Sequence, residues 1–264
     1  MTLIIGIKCE DGVVVGADGA ATLGALGTRT VRQPMKKLTV IDERVIVGVS
    51  GPVGMQQRFV AEVEELWRVK KLSGKKPEEA MTIIREVLWK HVEPEMKAAT
   101  VSAQLIGTPL AAESAISHAI VACVLKQPCL IQYNQQCSPE LASADLPFVA
   151  IGSGQSLADP FLAFLRDVFW PNRLPSVEDA IFATVWTLKH AIATLPGGVA
   201  GPIQVAAVKR VGGNWGAKIL DDRELQEHDV AISAARDRLA GFREALHAEA
   251  QEAESPPEPP RHQS

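Results

Sequence analysis

Apolar runs dominate the first fifty residues and predict two β-hairpins. Leu3 to Lys8 is apolar and largely β-branched, Asp11-Gly12 supplies a two-residue turn signal, and Val13 to Asp18 returns. Lys37 to Ile41 then runs out, Asp42-Glu43 turns, and Arg44 to Ser50 runs back, while residues 19–34, rich in Gly, Ala and Thr, read as a loop. The period then changes. Phe59, Val60, Val63, Leu66 and Trp67 fall at helical spacing within a segment from Met55 to Lys71 that Gly74 ends. Pro77 opens a second helix that passes through Ile83, Ile84, Val87 and Leu88 towards Met96.

Strands return at Ala119 to Leu125, Leu130 to Tyr133 and Phe148 to Ile151, the last ended by Gly152-Ser153-Gly154. Two further helices are predicted, Ser156 to Phe169 and Val177 to Leu195, the second behind the capping residue Ser176. A hairpin of Ile203 to Lys209 and Trp215 to Leu220 turns at Gly212-Gly213-Asn214. Hairpins and helix pairs therefore come in blocks. That order predicts an α+β fold with two antiparallel sheets between helix pairs, not alternating βαβ units.

The C-terminal stretch differs in kind. Leu225, Ile232, Leu239 and Leu246 recur every seven residues, with Ala235 and Phe242 three places after two of them, a narrow coiled-coil-like seam. Such a helix serves either as a face docked on its own domain or as a contact between subunits. Glu254-Ser-Pro-Pro-Glu-Pro-Pro-Arg cannot continue a helix and reads as a disordered tail. Charge marks the same boundary. Eleven acids and five bases from Asp221 onward leave that part at −6, against +2 for the 220 residues before it. The expected organisation is a domain over 2–220, a helical extension over 221–254 and a tail over 255–264.

Composition narrows the function classes. With 264 residues, 47% of them hydrophobic, the chain can bury one large core. No run approaches the roughly 18 uncharged apolar residues of a membrane helix, and the N-terminus lacks the basic region and cleavage site of a signal peptide. These features predict a cytoplasmic protein without membrane contact. The net charge of −4 carries no nucleic-acid footprint. Cys9, Cys123, Cys129 and Cys137 show no metal or redox spacing, and the six histidines are scattered without ligand spacing, so neither a metal nor a cofactor is expected. Gly152-Ser153-Gly154 is not a nucleophile elbow.

Thr2 offers a different chemistry. Met1 is normally removed before a small residue, which would leave a threonine carrying both a hydroxyl and a free α-amine. Such an amine has a reference pKa of about 7.7–8.0, so one residue can supply nucleophile and base. Pairing around Asp42-Glu43 sets Ile41 opposite Arg44 and Lys37 opposite Gly48; the same count in the first hairpin sets Asp18 opposite Ile5, at the Thr2 end of the sheet. A lysine beside a glycine leaves room for a substrate carbonyl to reach a backbone N–H, and a carboxylate nearby holds the lysine charged.

The strings Thr2-Leu-Ile-Ile-Gly6, Gly16-Ala-Asp18-Gly-Ala-Ala-Thr-Leu-Gly24, Lys36-Lys37-Leu38, Val45-Ile-Val-Gly48-Val-Ser-Gly51 and Ala150-Ile-Gly-Ser-Gly154 resemble the N-terminal-threonine peptidases of the proteasome β-subunit and HslV superfamily. The longer chain with its C-terminal helix is most similar to the β-proteobacterial proteasome homologue within it. The resemblance spans about residues 2–215. It implies a four-layer αββα sandwich of the N-terminal-nucleophile hydrolase type, with Thr2 as nucleophile, Asp18 and Lys37 as the charge pair that tunes it, Gly48 N–H as oxyanion donor and Ser153 at the terminal amine.

By the same resemblance Ala21, Met35, Ile46 and Ser50 would line a substrate pocket that favours an uncharged residue. The implied assembly is a homo-oligomeric double ring of twelve or fourteen subunits, fourteen favoured, acting on polypeptides, with an ATP-dependent unfoldase as a candidate partner and no cofactor. One departure stands out. Ala193 and Pro196 occupy the positions where the family carries an Asp and a Ser before Gly197-Gly198. Lys37 also falls a few residues later than usual, which implies an insertion in the preceding loop.

Overall fold

Strands β1 (Ile4–Lys8) and β2 (Gly12–Ala17) are apolar at nearly every position because both faces of their sheet are covered, so they form continuous runs instead of alternating ones. The computed structural model describes residues 2–23, 31–107, 116–195 and 198–254. Along them follow the two-stranded ribbon β3 (Ala20–Leu23) and β4 (Val31–Pro34), then β5 (Leu38–Ile41) and β6 (Val45–Ser50). Helices α1 (Val53–Arg68) and α2 (Pro77–Ile106) come next. The second half of the chain adds β7 (His118–Val124), β8 (Pro128–Tyr133), β9 (Pro139–Leu141) and β10 (Phe148–Ile151), then α3 (Gln155–Phe169) and α4 (Val177–Thr194). It closes with β11 (Gln204–Val211), β12 (Asn214–Ile219) and α5 (Asp222–Glu254).

Two five-stranded sheets, ordered β10-β1-β2-β11-β12 and β5-β6-β7-β8-β9, are antiparallel wherever their strands pair. Ile4, Val13, Val15, Leu38, Ile46, Ile120 and Leu130 form the core between them. Odd positions of β1, with Val14, face α3 and α4 through Leu162, Leu165, Ile181 and Leu188. Val45, Val47, Val49 and Val121 face α1 and α2 through Phe59, Val63, Ile84 and Leu88. The layers are thus helix, sheet, sheet, helix. Helix α4 begins as expected: Ser176 Oγ accepts from Asp179 N–H and Asp179 returns a bond to Ser176 N–H.

Both expected registers shift. The first hairpin turns at Glu10-Asp11, closed by Cys9 N–H on the Gly12 carbonyl, which sets Ile4 opposite Ala17 and Asp18 beside Leu3 instead of Ile5. Gly12 serves the neighbouring strand rather than the turn, since a Cβ there would lie 2.1 Å from the Val208 carbonyl oxygen. In the second hairpin Asp42 and Glu43 take positive φ, and Arg44 is one extra residue whose carbonyl accepts from Val124 N–H. Ile41 therefore pairs with Val45, and Gly48 stands opposite Leu38 instead of Lys37.

Other differences have physical reasons. Part of the expected loop over 19–34 pairs as β3 and β4; residues 24–30 lie outside the described residues. Strand β9 is only three residues long, below the reach of a periodic signal. Helix α2 runs ten residues beyond Met96 and ends on Gly107 in the left-handed conformation. Over 93–105 none of its residues is buried, so no apolar stripe marks that stretch.

Helix α5 carries its seam in two parts. Ile232 is buried, and Leu225 and Ala235 pack against the α3–α4 side of the core. Arg236 lies over the Trp186 ring and Lys189 pairs with Asp229. Leu239, Phe242 and Leu246 are exposed. The expected tail over 255–264 lies outside the described residues.

Candidate active site

Thr2 sits at the mouth of the sandwich, where β1 enters between β2 and β10. Its hydroxyl Oγ1 accepts from Lys37 Nζ at 3.1 Å. The same Nζ lies 2.6 Å from Asp18 Oδ1, and both side chains are withdrawn from water, at 3% and 0% exposure. A charged pair so placed needs its remaining valences filled. Asp18 meets this condition with three backbone donors: Leu3 N–H on Oδ1 at 2.9 Å, and Ala20 and Ala200 N–H on Oδ2 at 3.3 Å each. One carboxylate thereby ties together the start of β1, the exit of β2 and the segment before β11.

Burial pulls the Lys37 ammonium below the ordinary lysine range, and the Asp18 charge opposes that fall. The result is a lysine able to hydrogen-bond the Thr2 hydroxyl from inside a water-poor site. Its backbone is held as firmly. Gln204 Oε1 accepts from Lys37 N–H at 3.0 Å and Leu38 N–H at 3.3 Å, while Gln204 Nε2 donates to the Met35 carbonyl at 2.8 Å. Gln56 Nε2 donates to the Lys36 carbonyl at 3.0 Å.

The turn after β10 holds the other side of Thr2. Thr2 N–H donates to Ser153 Oγ at 3.2 Å, and the Thr2 carbonyl accepts from Gly154 N–H at 3.2 Å. Gly152 has φ of +93°, and a Cβ on it would stand 2.2 Å from the Thr2 carbonyl oxygen and 2.9 Å from Ser50 Oγ. Only glycine allows that approach. Gly48 sits on the face of β6 turned to the other sheet, where an added Cβ would meet Leu38 and Ile4, two residues along from Thr2.

The structure therefore brings together Thr2, Asp18, Lys37 and Ser153 by direct contact, with Gly48 and Ser50 on the adjoining strand. Ala21 and Met35 are half-buried; Ala21 lies in the β3–β4 ribbon and Met35 follows it, bound through its N–H to the Gly19 carbonyl. Ile46 does not line an open pocket. It is fully buried in the core between the sheets, because β6 descends from Ser50 at its end into the sandwich. Ala193 is exposed on the last turn of α4, and Pro196 and Gly197 lie outside the described residues.

Gln204, Gln56 and the Ala200 N–H went unseen in the sequence, since contacts between a side chain and a backbone 20, 167 or 182 residues away leave no periodic trace. His118 was also missed. It stands opposite Ser50 in the β6–β7 register, and burial lowers its pKa below the ordinary imidazole value, so it is neutral beside the site at pH 7. The pairing of consecutive apolar runs was the one available signal for it. Among the described residues no group of His, Cys, Asp and Glu is arranged to hold a metal ion, and no helix is long and apolar enough to cross a membrane.

Comparison with known proteins points the same way as the geometry. Residues 2–97, which carry Thr2, Asp18, Lys37 and Gly48, match the model of the proteasome subunit family. No curated protein matches the chain. The fold is similar to that of Anbu from Hyphomicrobium sp. strain MC1. Its Gly-1 mutant superposes with a TM-score of 0.63 at 17% identity, covering 91% of this chain and 97% of that one. A second crystal form of Anbu gives 0.59 at 17% identity, covering 90% and 97%. The architecture is the N-terminal-nucleophile hydrolase fold, of α+β class.

Proposed function

We propose that the chain is a threonine-type peptidase that works as a proteasome-like assembly, with Thr2 as its nucleophile once Met1 is removed. The observation that carries this reading is the contact of Thr2 Oγ1 with Lys37 Nζ inside the buried Lys37–Asp18 pair. In the proposed reaction Thr2 Oγ1 attacks the peptide carbonyl carbon and its proton passes to the freed α-amine, which Ser153 Oγ holds in place. The Lys37 charge disfavours protonation of that amine and so keeps it available as a base. Gly48 N–H steadies the oxyanion, the amine returns the proton to the leaving nitrogen, and water releases the acyl group from Thr2.

Half-buried Ala21 and Met35, with Ser50 and neutral His118, favour an uncharged side chain beside Thr2. The exposed half of the α5 seam supports burial against further copies of the chain, consistent with a double ring of twelve or fourteen subunits. We further propose that residues 221–254 serve this assembly, and that the chain is cytoplasmic, with polypeptides fed by an ATP-dependent unfoldase. Affiliation with the β-proteobacterial homologue rests on the quoted motif strings and on α5.

A second reading has one specific observation in its favour: Ala193 supplies no carboxylate where the related enzymes carry one. On that reading the chain is an assembly protein with little peptidase activity. A third, an N-terminal-nucleophile amidase acting on a small molecule, shares the site but not the barrel. One set of measurements separates them. Intact mass should show a chain starting at Thr2, a peptide epoxyketone should add to Thr2, and Thr2→Ala should abolish cleavage of peptide reporters. Retention of Met1 on active protein would refute the peptidase reading. An unlabelled, correctly trimmed ring supports the assembly reading, and a labelled monomer the amidase.

A further inference from the structure

Away from Thr2, at the opposite end of the sandwich, two buried thiols face each other across neighbouring strands. Cys123 on β7 stands directly opposite Cys129 on β8, with their sulfurs 3.2 Å apart. Nothing in the peptidase reading uses them. Cys123 is fully covered, whereas Cys129 forms part of the wall of a cavity of about 480 Å³ at the β1–β2 and β7–β8 turns. Lys8, Lys76 and Lys126 line that cavity against Glu10 and Glu78, so its charge favours an anionic sulfur.

We propose that Cys129 and Cys123 form a peroxide-reactive dithiol, with Cys129 as the attacking thiolate and Cys123 as the resolving thiol. The geometry assigns the roles, and the directions in which the two thiols shift agree with it. Cys129 alone of the two reaches the cavity. Hydrogen bonding from Cys123, helped by the Lys8 charge, pulls the Cys129 thiol below its ordinary range. The same bond and burial push Cys123 up, so it keeps its proton. Cys9 also lines the cavity, but burial and the Asp11 charge push its thiol far up, which removes it as a competitor.

The chemistry balances with a hydroperoxide as oxidant. The Cys129 thiolate attacks the peroxide oxygen, breaks the O–O bond and becomes a sulfenic acid, while the alkoxide or hydroxide leaves and takes up a proton. Cys123 sulfur then attacks the Cys129 sulfur, its proton leaves with the hydroxyl as water, and the S–S bond forms. The sulfurs need to close by only about 1 Å to reach the roughly 2.05 Å of a disulfide. The product would staple β7 to β8 beneath α2, beside Tyr133 and across from Val45 at the start of β6.

The test treats the full-length protein with hydrogen peroxide and then alkylates it in denaturant. The expected result is the loss of two hydrogens in intact mass and a cross-linked Cys123–Cys129 peptide reversed by dithiothreitol, with a thermal midpoint raised by a few degrees. In Cys123→Ser, dimedone should trap a sulfenic acid at Cys129, whereas Cys129→Ser should leave Cys123 unmodified. Wild-type protein that keeps both thiols alkylatable after peroxide treatment overturns the proposal, without recourse to either variant. A cross-link from Cys129 to Cys137 instead overturns the assigned pairing.

Discussion

Lys37 Nζ and Asp18 Oδ1 stand 2.6 Å apart with almost no exposure to water, and three backbone N–H groups complete the carboxylate. The pair is therefore a structural junction at the candidate site. Asp18→Asn keeps the shape but removes the charge and turns an amide N–H₂ towards donors that need an acceptor. The expected loss is about 3–5 kcal/mol of stability, the range for breaking a buried ion pair from one side. Urea denaturation measures it, and a loss below about 1 kcal/mol would mean that Asp18 is tolerant of its surroundings.

The direction of the Lys37 shift sets a pH dependence. Burial lowers the lysine pKa in the fold while the unfolded chain keeps the ordinary value near 10.4, so between the two the unfolded state binds more protons. Stability contributed by this group consequently rises as pH climbs through the folded pKa towards 10.4. Wild type should gain stability relative to Lys37→Gln over that window. Denaturation midpoints of both proteins at a series of pH values between 7 and 10 check the sign, and a wild-type midpoint that falls relative to that of Lys37→Gln as pH rises contradicts it.

Much of the arrangement is legible in the amino-acid sequence. Strands buried on both faces announce themselves as apolar runs, and α1 and α3 show the stripe that sheets demand of covering helices. Thr2, Asp18, Lys37 and Ser153 stood out because each lies in a short motif. Registers were less legible, because a slip of one or two residues turns on local facts: Gly12 yields to the Val208 carbonyl, and Arg44 bulges to bind Val124. Ile46 shares the face of Gly48 and Ser50, but the depth of a residue along a strand is invisible to alternation. Gln204 fastens Lys37 from a strand 167 residues away, and only folding brings them together.

Gly152 makes a sharper test of positioning than any charged residue. Gly152→Ala places a methyl 2.2 Å from the Thr2 carbonyl oxygen at a backbone φ of +93°, so Thr2 or the turn must move. A displacement near 1 Å at a reacting group costs on the order of 100-fold in rate. Peptide cleavage should fall by that order. The aromatic side chains packed against the helices, Phe59, Tyr133, Trp170 and Trp186 among them, should keep their near-UV circular dichroism. Full activity in the variant would show that the site tolerates the shift.

The two halves of the α5 seam should respond differently to substitution. Ile232 is 5% exposed and packs into the core with α4, so Ile232→Ala should cost about 2–5 kcal/mol of protomer stability. Leu239 and Phe242 are 50% and 65% exposed, and removing apolar surface already in water changes protomer stability by no more than about 0.5 kcal/mol. Their effect should fall on association. The double variant Leu239→Ser/Phe242→Ser should unfold like wild type at low concentration yet give a smaller mass by native mass spectrometry. An unchanged assembly would show that the exposed half of α5 takes no part in holding copies together, and would leave the site around Thr2 untouched as a candidate.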